Sequence, residues 1–287
     1  MKNARFYVPI ALSVVCIATS AIIIRYSSAA PMVIGFYRVL FTFLLALLLD
    51  GRHIISECRQ LNRNDYQLIT GAGIFLALHF SFWITSLEHT SVSSSVLFTN
   101  LQVIFVLLFS IFILREKLNG WIAGGILIAL AGSFCIGTGD LARGKIWGDL
   151  LALASGLFVA IYFIIGRKVR IRVGIWTYTA VVSLVAAVIL LAASLVMDLN
   201  LSHFPPRQWL LFFLLALGPG IAGHGILNWA LKYVKAPIVS VSILGEAVGA
   251  SIFAWILFAE ALSWYQIAGG LLILSGIYLA ASHEEPA

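Results

Sequence analysis

The amino-acid sequence predicts an all-α, polytopic membrane protein of ten transmembrane helices arranged as two inverted five-helix repeats. Three observations predict it: an extreme apolar composition, ten recurrent apolar runs of membrane length, and a segment that repeats half a chain later. Composition decides the class. Of 287 residues, 61% are hydrophobic and only 10% charged, and the mean hydropathy is +1.03. Soluble domains carry roughly 25% charged residues, and one soluble core of this length has no room for so much apolar surface. Runs long enough to cross a hydrocarbon layer roughly 30 Å thick fall at 7–26, 31–49, 66–87, 92–114, 119–137, 147–166, 174–197, 209–231, 236–258 and 264–282. They use most of the chain, which argues against a fused ATPase or large catalytic module. Pro31, Gly51, Gly120, Gly174, Pro205-Pro206 and Pro237 punctuate many of the ends.

The first span also has the outline of a cleaved signal peptide, with Lys2 and Arg5 ahead of an apolar stretch and small residues at Ser27–Ala30. The stretch is long for that purpose and Arg25 interrupts the approach to the cleavage site, so a retained span is expected. Basic residues orient the spans. Thirteen of eighteen (Lys2, Arg5, Arg52, Arg59, Arg63, Arg115, Lys117, Arg167, Lys168, Arg170, Arg172, Lys232 and Lys235) fall on one side, and Arg25, Arg143, Lys145 and Arg207 on the other. Arg38 lies within a span. Cytoplasmic loops hold the excess of Lys and Arg, so both termini are expected in the cytoplasm, the chain lying in the inner (plasma) membrane. The cluster Arg167–Arg172 then reads as a topology signal beside anionic lipid, with no nucleic-acid partner.

The repeat joins LREKLNGWIAGGILIALAG (114–132) to FAEALSWYQIAGGLLILSG (258–276), about 144 residues apart. Both hold Glu-x-Leu (Glu116 and Leu118, Glu260 and Leu262), an Ala-Gly-Gly and a closing glycine, Gly132 or Gly276. Small residues of this kind let lipid-embedded helices approach closely. Duplication divides the chain into repeats 1–138 and 139–287. Each holds an odd number of spans, so the second copy sits upside down, as the charge bias also requires. Inverted repeats recur in secondary transporters, with the substrate site near mid-membrane between the halves.

Ten spans in duplicated halves, Glu-x-Leu followed by a Gly-rich last helix, and an Arg early in the second span (Phe36-Tyr37-Arg38) resemble the EamA branch of the drug/metabolite transporter superfamily. The resemblance covers nearly the whole chain. It implies export of small metabolites, often amino acids or related compounds, through a central cavity opened alternately to each side. Phosphorylated substrates of related transporters typically meet cationic residues in the late helices. The last two spans here carry none within the membrane, which disfavours an anionic phosphate.

Ionisable groups deep in hydrocarbon are costly unless paired or wet, so each is a functional candidate. Four qualify: Arg38, His79, His224 and Glu246. Glu246 lies about ten residues into the ninth span, roughly 15 Å deep at 1.5 Å per residue, between Gly245 and Gly249. It suits proton exchange or a substrate ammonium; the plainer alternative is a static pair with Arg38. Arg38, about seven residues below the outer face, suits a substrate carboxylate, an ion pair or an anchor that snorkels outward. His79 and Trp83 share one face of the third span, and His224 and Asn228 repeat that spacing on the equivalent eighth span. These pairs are expected to face each other across a pseudo-two-fold axis, where histidine could relay a proton. Asn100 and Gln102, the latter aligning with Glu246, stand two residues apart, so only one is expected to line the cavity. Tyr37, Tyr162, Tyr178 and Trp229 complete the candidates, and packing is the commoner role for such aromatics. Aromatic lining around Glu246 fits an amphipathic zwitterion, such as an aromatic amino acid, or an organic cation. Gly218-Pro219-Gly220 predicts a break or kink that frees backbone carbonyls in the eighth span.

Other readings are weaker. Gly139 to Lys145 nearly spells a phosphate-binding loop, but Ile146 stands where a metal-binding hydroxyl is needed. Asn200-Leu-Ser202 fits a glycosylation acceptor, relevant only in a secretory eukaryotic setting. Cys16, Cys58 and Cys135 have no metal-ligand spacing. An intramembrane enzyme acting on a lipid or small molecule is the main alternative, yet neither Gly-x-Ser-x-Gly nor His-Glu-x-x-His occurs, and the acids are not clustered. A channel requires richer polar rings than these spans supply. The expected partners are membrane lipids, a small-molecule substrate and protons, with no cofactor, and the protein a monomer or weak homodimer.

Overall fold

The computed structural model describes residues 4–117, 119–137, 146–258 and 263–284. Long apolar sequences satisfy their backbone polar groups internally as helices, the form a bilayer demands of a spanning segment. The spans are α1 (Phe6–Arg25), α2 (Pro31–Cys58), α3 (Arg63–His89), α4 (Val92–Asn100 and Gln102–Phe112), α5 (Gly120–Gly137), α6 (Ile146–Arg170), α7 (Ile175–Val196), α8 (Pro206–Ala230), α9 (Ala236–Ile243 and Gly245–Phe258) and α10 (Trp264–Ser282). Among the described residues, nine have the length and apolar character to cross a membrane, and α5 is apolar but slightly shorter. Leu118, Glu260, Leu262 and the Gly139–Lys145 connection lie outside the described residues.

Four helices depart from expectation. Gly51 does not end α2: the helix bends at Asp50 (φ −150°, ψ 35°) and continues to Cys58. Packing overrides the glycine, because Ile54 is buried with Ala180 against Trp176. The extension brings Glu57 to the start of α7, where its carboxylate accepts from Gly174 N–H at 2.7 Å. An acid is stabilised at a helix N-terminus. The Gly218-Pro219-Gly220 segment does not break α8. Ala216–Gly225 instead forms a π-helical stretch, so hydrogen bonding continues at wider spacing. Finally, α4 and α9 are each interrupted, at Leu101 and Leu244.

Several of the main interhelical contacts map onto one another when each helix is exchanged for its counterpart five spans away. α3 packs on α6 as α8 packs on α1, α4 on α6 as α9 on α1, and α3 on α7 as α8 on α2. α5 and α10 pack on each other through the repeated glycines, antiparallel, with Gly125 against Gly276 and Gly132 against Gly269. A Cβ on Gly125 would sit 2.6 Å from the Gly276 carbonyl oxygen, and one on Gly269 would sit 2.6 Å from that of Gly132. Backbone cannot yield as a side chain can. Gly132→Val is therefore expected to lower the thermal midpoint of the purified protein, at a cost at or above the upper end of the roughly 1–3 kcal/mol typical of overpacking. Gly124→Val, whose added Cβ meets nothing within 4 Å, is the control that should leave the midpoint nearly unchanged.

Candidate functional site

The interruptions in α4 and α9 place polar side chains at one depth, beside α1, α2, α3 and α8. Arg38, His79, Trp83, Asn100, Gln102, His224 and Glu246 line a single interior cavity. Its volume is about 40 Å³, room for a few water molecules but not for a metabolite, so admitting one requires the surrounding helices to part.

Both Asn100 and Gln102 face this cavity, contrary to the expectation that only one would. The turn at Leu101 (φ −61°, ψ −8°) interrupts the helical rotation that would have set them on different faces. Asn100 Nδ2 and Gln102 Oε1 are buried with no protein partner. Glu246 is buried in the first turn of the second α9 segment, where the helix N-terminus favours a carboxylate.

Arg38 does not snorkel: it is 1% exposed. Its Nη1 donates to Ser20 Oγ at 2.9 Å, and its guanidinium lies 4.2 Å from the centre of the Phe80 ring, a cation–π geometry. Nor does it form a static pair with Glu246; no ion pair within 4.0 Å joins the two. One basic and one acidic side chain thus share the cavity without direct contact.

The His79 and His224 rings meet with centroids 6.3 Å apart, and His79 stacks on Trp83 at 6.1 Å and 3°. His79 Nδ1 lies 2.8 Å from Ser155 Oγ of α6, whereas His224 Nδ1 is buried without a partner. A second, smaller compartment adjoins the first, with Arg38 and His224 lining both. Asn228 and Tyr162 line it together with Thr179, and Asn228 Nδ2 donates to the Tyr162 hydroxyl.

The structure places three aromatic candidates elsewhere. Tyr37 donates to the Leu201 carbonyl at 2.5 Å and stacks on Phe212 at 4.7 Å, which makes it a packing residue of α2 and α8. Tyr178 sits beside Tyr162, ring centroids 6.2 Å apart, but lines neither compartment. Trp229 packs against Phe6 and Tyr233. Sequence reasoning missed Ser20, Phe80, Ser155 and Thr179, because serine, threonine and phenylalanine are ordinary in membrane helices and only the packing brings them to the site. No group of three His, Cys, Asp or Glu among the described residues could hold a metal ion.

The basic face is closed by ion pairs between the halves and by hydrogen bonds within the second half. Arg167 Nε pairs with Glu116 at 2.9 Å while its Nη1 donates to the Leu231 carbonyl at 2.7 Å. Arg172 pairs with Asp65 at 2.6 Å, and Arg170 donates to the carbonyls of Asn228 and Val173. Of the basic residues in Arg167–Arg172, Arg167 and Arg170 are buried and turn inward, which leaves Lys168 and Arg172 exposed to lie beside lipid. The opposite face is joined by contacts between polar groups, such as Ser28 to Gln208 and Thr90 to Asp149.

A bundle of membrane-length helices with pseudo-symmetric halves and a charged interior cavity defines the class: a polytopic membrane protein of repeated five-helix architecture. The chain belongs to the EamA-like transporter family, whose model matches residues 6–138 and again residues 146–282, and so to the drug/metabolite transporter superfamily. Relatives named uncharacterized transporters are 25% identical in Archaeoglobus fulgidus, over 94% of both chains, and 24% identical in Methanothermobacter thermautotrophicus, over 97% of this chain and 87% of the relative. Human solute carrier family 35 member G1 is 26% identical over 72% of this chain and 58% of its own length. A crystal structure 18% identical in sequence superimposes with a TM-score of 0.77 over 98% of both chains, which shows the same fold.

Proposed function

We propose that the protein is a secondary active transporter that exports small metabolites across the inner (plasma) membrane by alternating access. The cargo class is amino acids, aromatic ones included, or related zwitterions and amines. The observation that carries this reading is the unbridged pair: Arg38 and Glu246 line one buried cavity without touching, so a solute bearing both charges can bridge them. In this reading Glu246 receives the ammonium or exchanges a proton, His79 and His224 relay protons, and Trp83 offers an aromatic face. Asn100 and Gln102 supply the open hydrogen-bonding groups.

The two halves act as inverted repeats with both termini cytoplasmic. The antiparallel packing of the equivalent helices α5 and α10 supports the inversion, and the thirteen basic residues assigned to one face support the orientation. The basic-face pairs between Glu116 and Arg167 and between Asp65 and Arg172 then close the cytoplasmic side. Proteoliposomes test the function. Internal unlabelled amino acid is expected to accelerate uptake of the same labelled compound, and the uptake should saturate. A linear, counter-substrate-independent flux, or conversion of the solute to a product, would contradict transport of this kind.

A further inference from the structure

The smaller compartment carries an assignment of its own, and it rests on the reading of Glu246 and Arg38 as the poles of a solute site. Its volume is about 20 Å³, the size of one water molecule or one oxygen-sized group. Three side chains at least nine-tenths buried leave hydrogen-bonding atoms there unpartnered: Arg38 Nε, Thr179 Oγ1 and Asn228 Oδ1, in residues 1%, 6% and 3% exposed. No Asp or Glu lines the compartment, and its one formal charge is the Arg38 guanidinium. The Asn228 amide can turn by half a turn without losing its bond, Oδ1 then accepting from the Tyr162 hydroxyl while Nδ2 faces inward. Arg38, Thr179 and Asn228 would then each offer a donor to the same compartment. The π-helical stretch of α8 shapes the wall here through Gly220, His224 and Gly225. A Cβ on Gly220 would sit 2.5 Å from Thr42 Oγ1, so that wall tolerates no side chain without rearrangement.

Unpartnered donors in one compartment, a buried guanidinium and no acid suit an anionic oxygen and disfavour an ammonium. We infer that this compartment is a carboxylate subsite. One carboxylate oxygen of the solute inserts among Arg38, Thr179 and Asn228, while its ammonium and side chain stay in the larger compartment with Glu246 and Trp83. The cargo is thereby narrowed to amino acids, and simple amines are disfavoured, because without a carboxylate they leave the buried Arg38 guanidinium without a counter-charge.

The test is a thermal-shift titration of the purified full-length protein with the twenty common amino acids, followed by the amide and the decarboxylated amine of whichever stabilises it most. The amino acid is expected to bind about a hundredfold more tightly than either derivative. Thr179→Val, nearly isosteric, should weaken the amino acid about tenfold and leave the derivatives unaffected, and Thr179→Ser should restore most of the loss. Equal binding of amine and amino acid by the wild-type protein would overturn the carboxylate subsite even if no variant folds, while leaving the Glu246 reading in place. Unchanged amino-acid binding by folded Thr179→Val would also overturn it. No shift with any amino acid or amine would overturn both readings together.

Discussion

Glu246→Gln is expected to reduce amino-acid counterflow in proteoliposomes at least about a hundredfold while the protein remains folded. Two unit charges 4 Å apart at an effective dielectric near 20 attract by about 4 kcal/mol, close to a factor of a thousand in affinity. Partial solvation of the freed ammonium returns some of that. The variant also leaves Arg38 as the one formal charge lining the cavity, and its repulsion of an ammonium is no longer offset. The fold should tolerate the change, because Glu246 forms no ion pair with any described residue and glutamine fills nearly the same volume. A thermal midpoint within a few degrees of wild type, together with lost counterflow, is the expected result. Preserved counterflow would remove Glu246 from the transport site.

Arg167→Ala is expected to destabilise the protein more than any other single change at the basic face. Arg167 and Glu116 side chains are each 11% exposed, and the guanidinium also holds the Leu231 carbonyl. Removing one partner of a buried pair strands the other charge, at a cost of about 3–5 kcal/mol. Arg167→Lys should recover only part of this, since an ammonium cannot reproduce the fork geometry that reaches both acceptors. Asp65→Asn is the informative contrast. That change removes the buried charge, Asp65 being 8% exposed in its side chain, and leaves Arg172, 50% exposed, to the solvent, so the loss should be at most about 1 kcal/mol. Thermal unfolding should therefore separate the two pairs clearly. Equal losses in the two variants would mean that burial does not govern this face.

Most of the fold was legible because membrane spans announce themselves by length and hydropathy alone. The same signal was blind to what happens inside a helix. Nothing local at Leu101 or Leu244 marks an interruption, and so the shared facing of Asn100 and Gln102 could not be read from their spacing. Gly218-Pro219-Gly220 did announce an irregularity, but whether a proline-containing helix breaks or widens depends on its neighbours. Gly51 misled for a related reason, since the packing of Ile54 against α7 outweighs the helix-breaking tendency of one glycine. At the site, Arg38, His79, His224 and Glu246 stood out because ionisable groups are rare in hydrocarbon. Ser155 and Thr179 did not, being small hydroxyls of a type found on many membrane helices. The basic cluster was recognised as a marker of one face, yet composition could not show that Arg167 and Arg170 turn inward to partners in α8 and the α4–α5 connection.

The central claim is that the cavity around Arg38 and Glu246 opens to each side of the membrane in turn. Val96 lines that cavity and is 6% exposed, which suits it to a cysteine probe in a background lacking Cys16, Cys58 and Cys135. In sealed vesicles of each orientation, Val96→Cys is expected to react with a membrane-impermeant thiol reagent from either face, and a transported amino acid should slow the reaction from both. Reaction from one face only, or from neither, would contradict alternating access at this site.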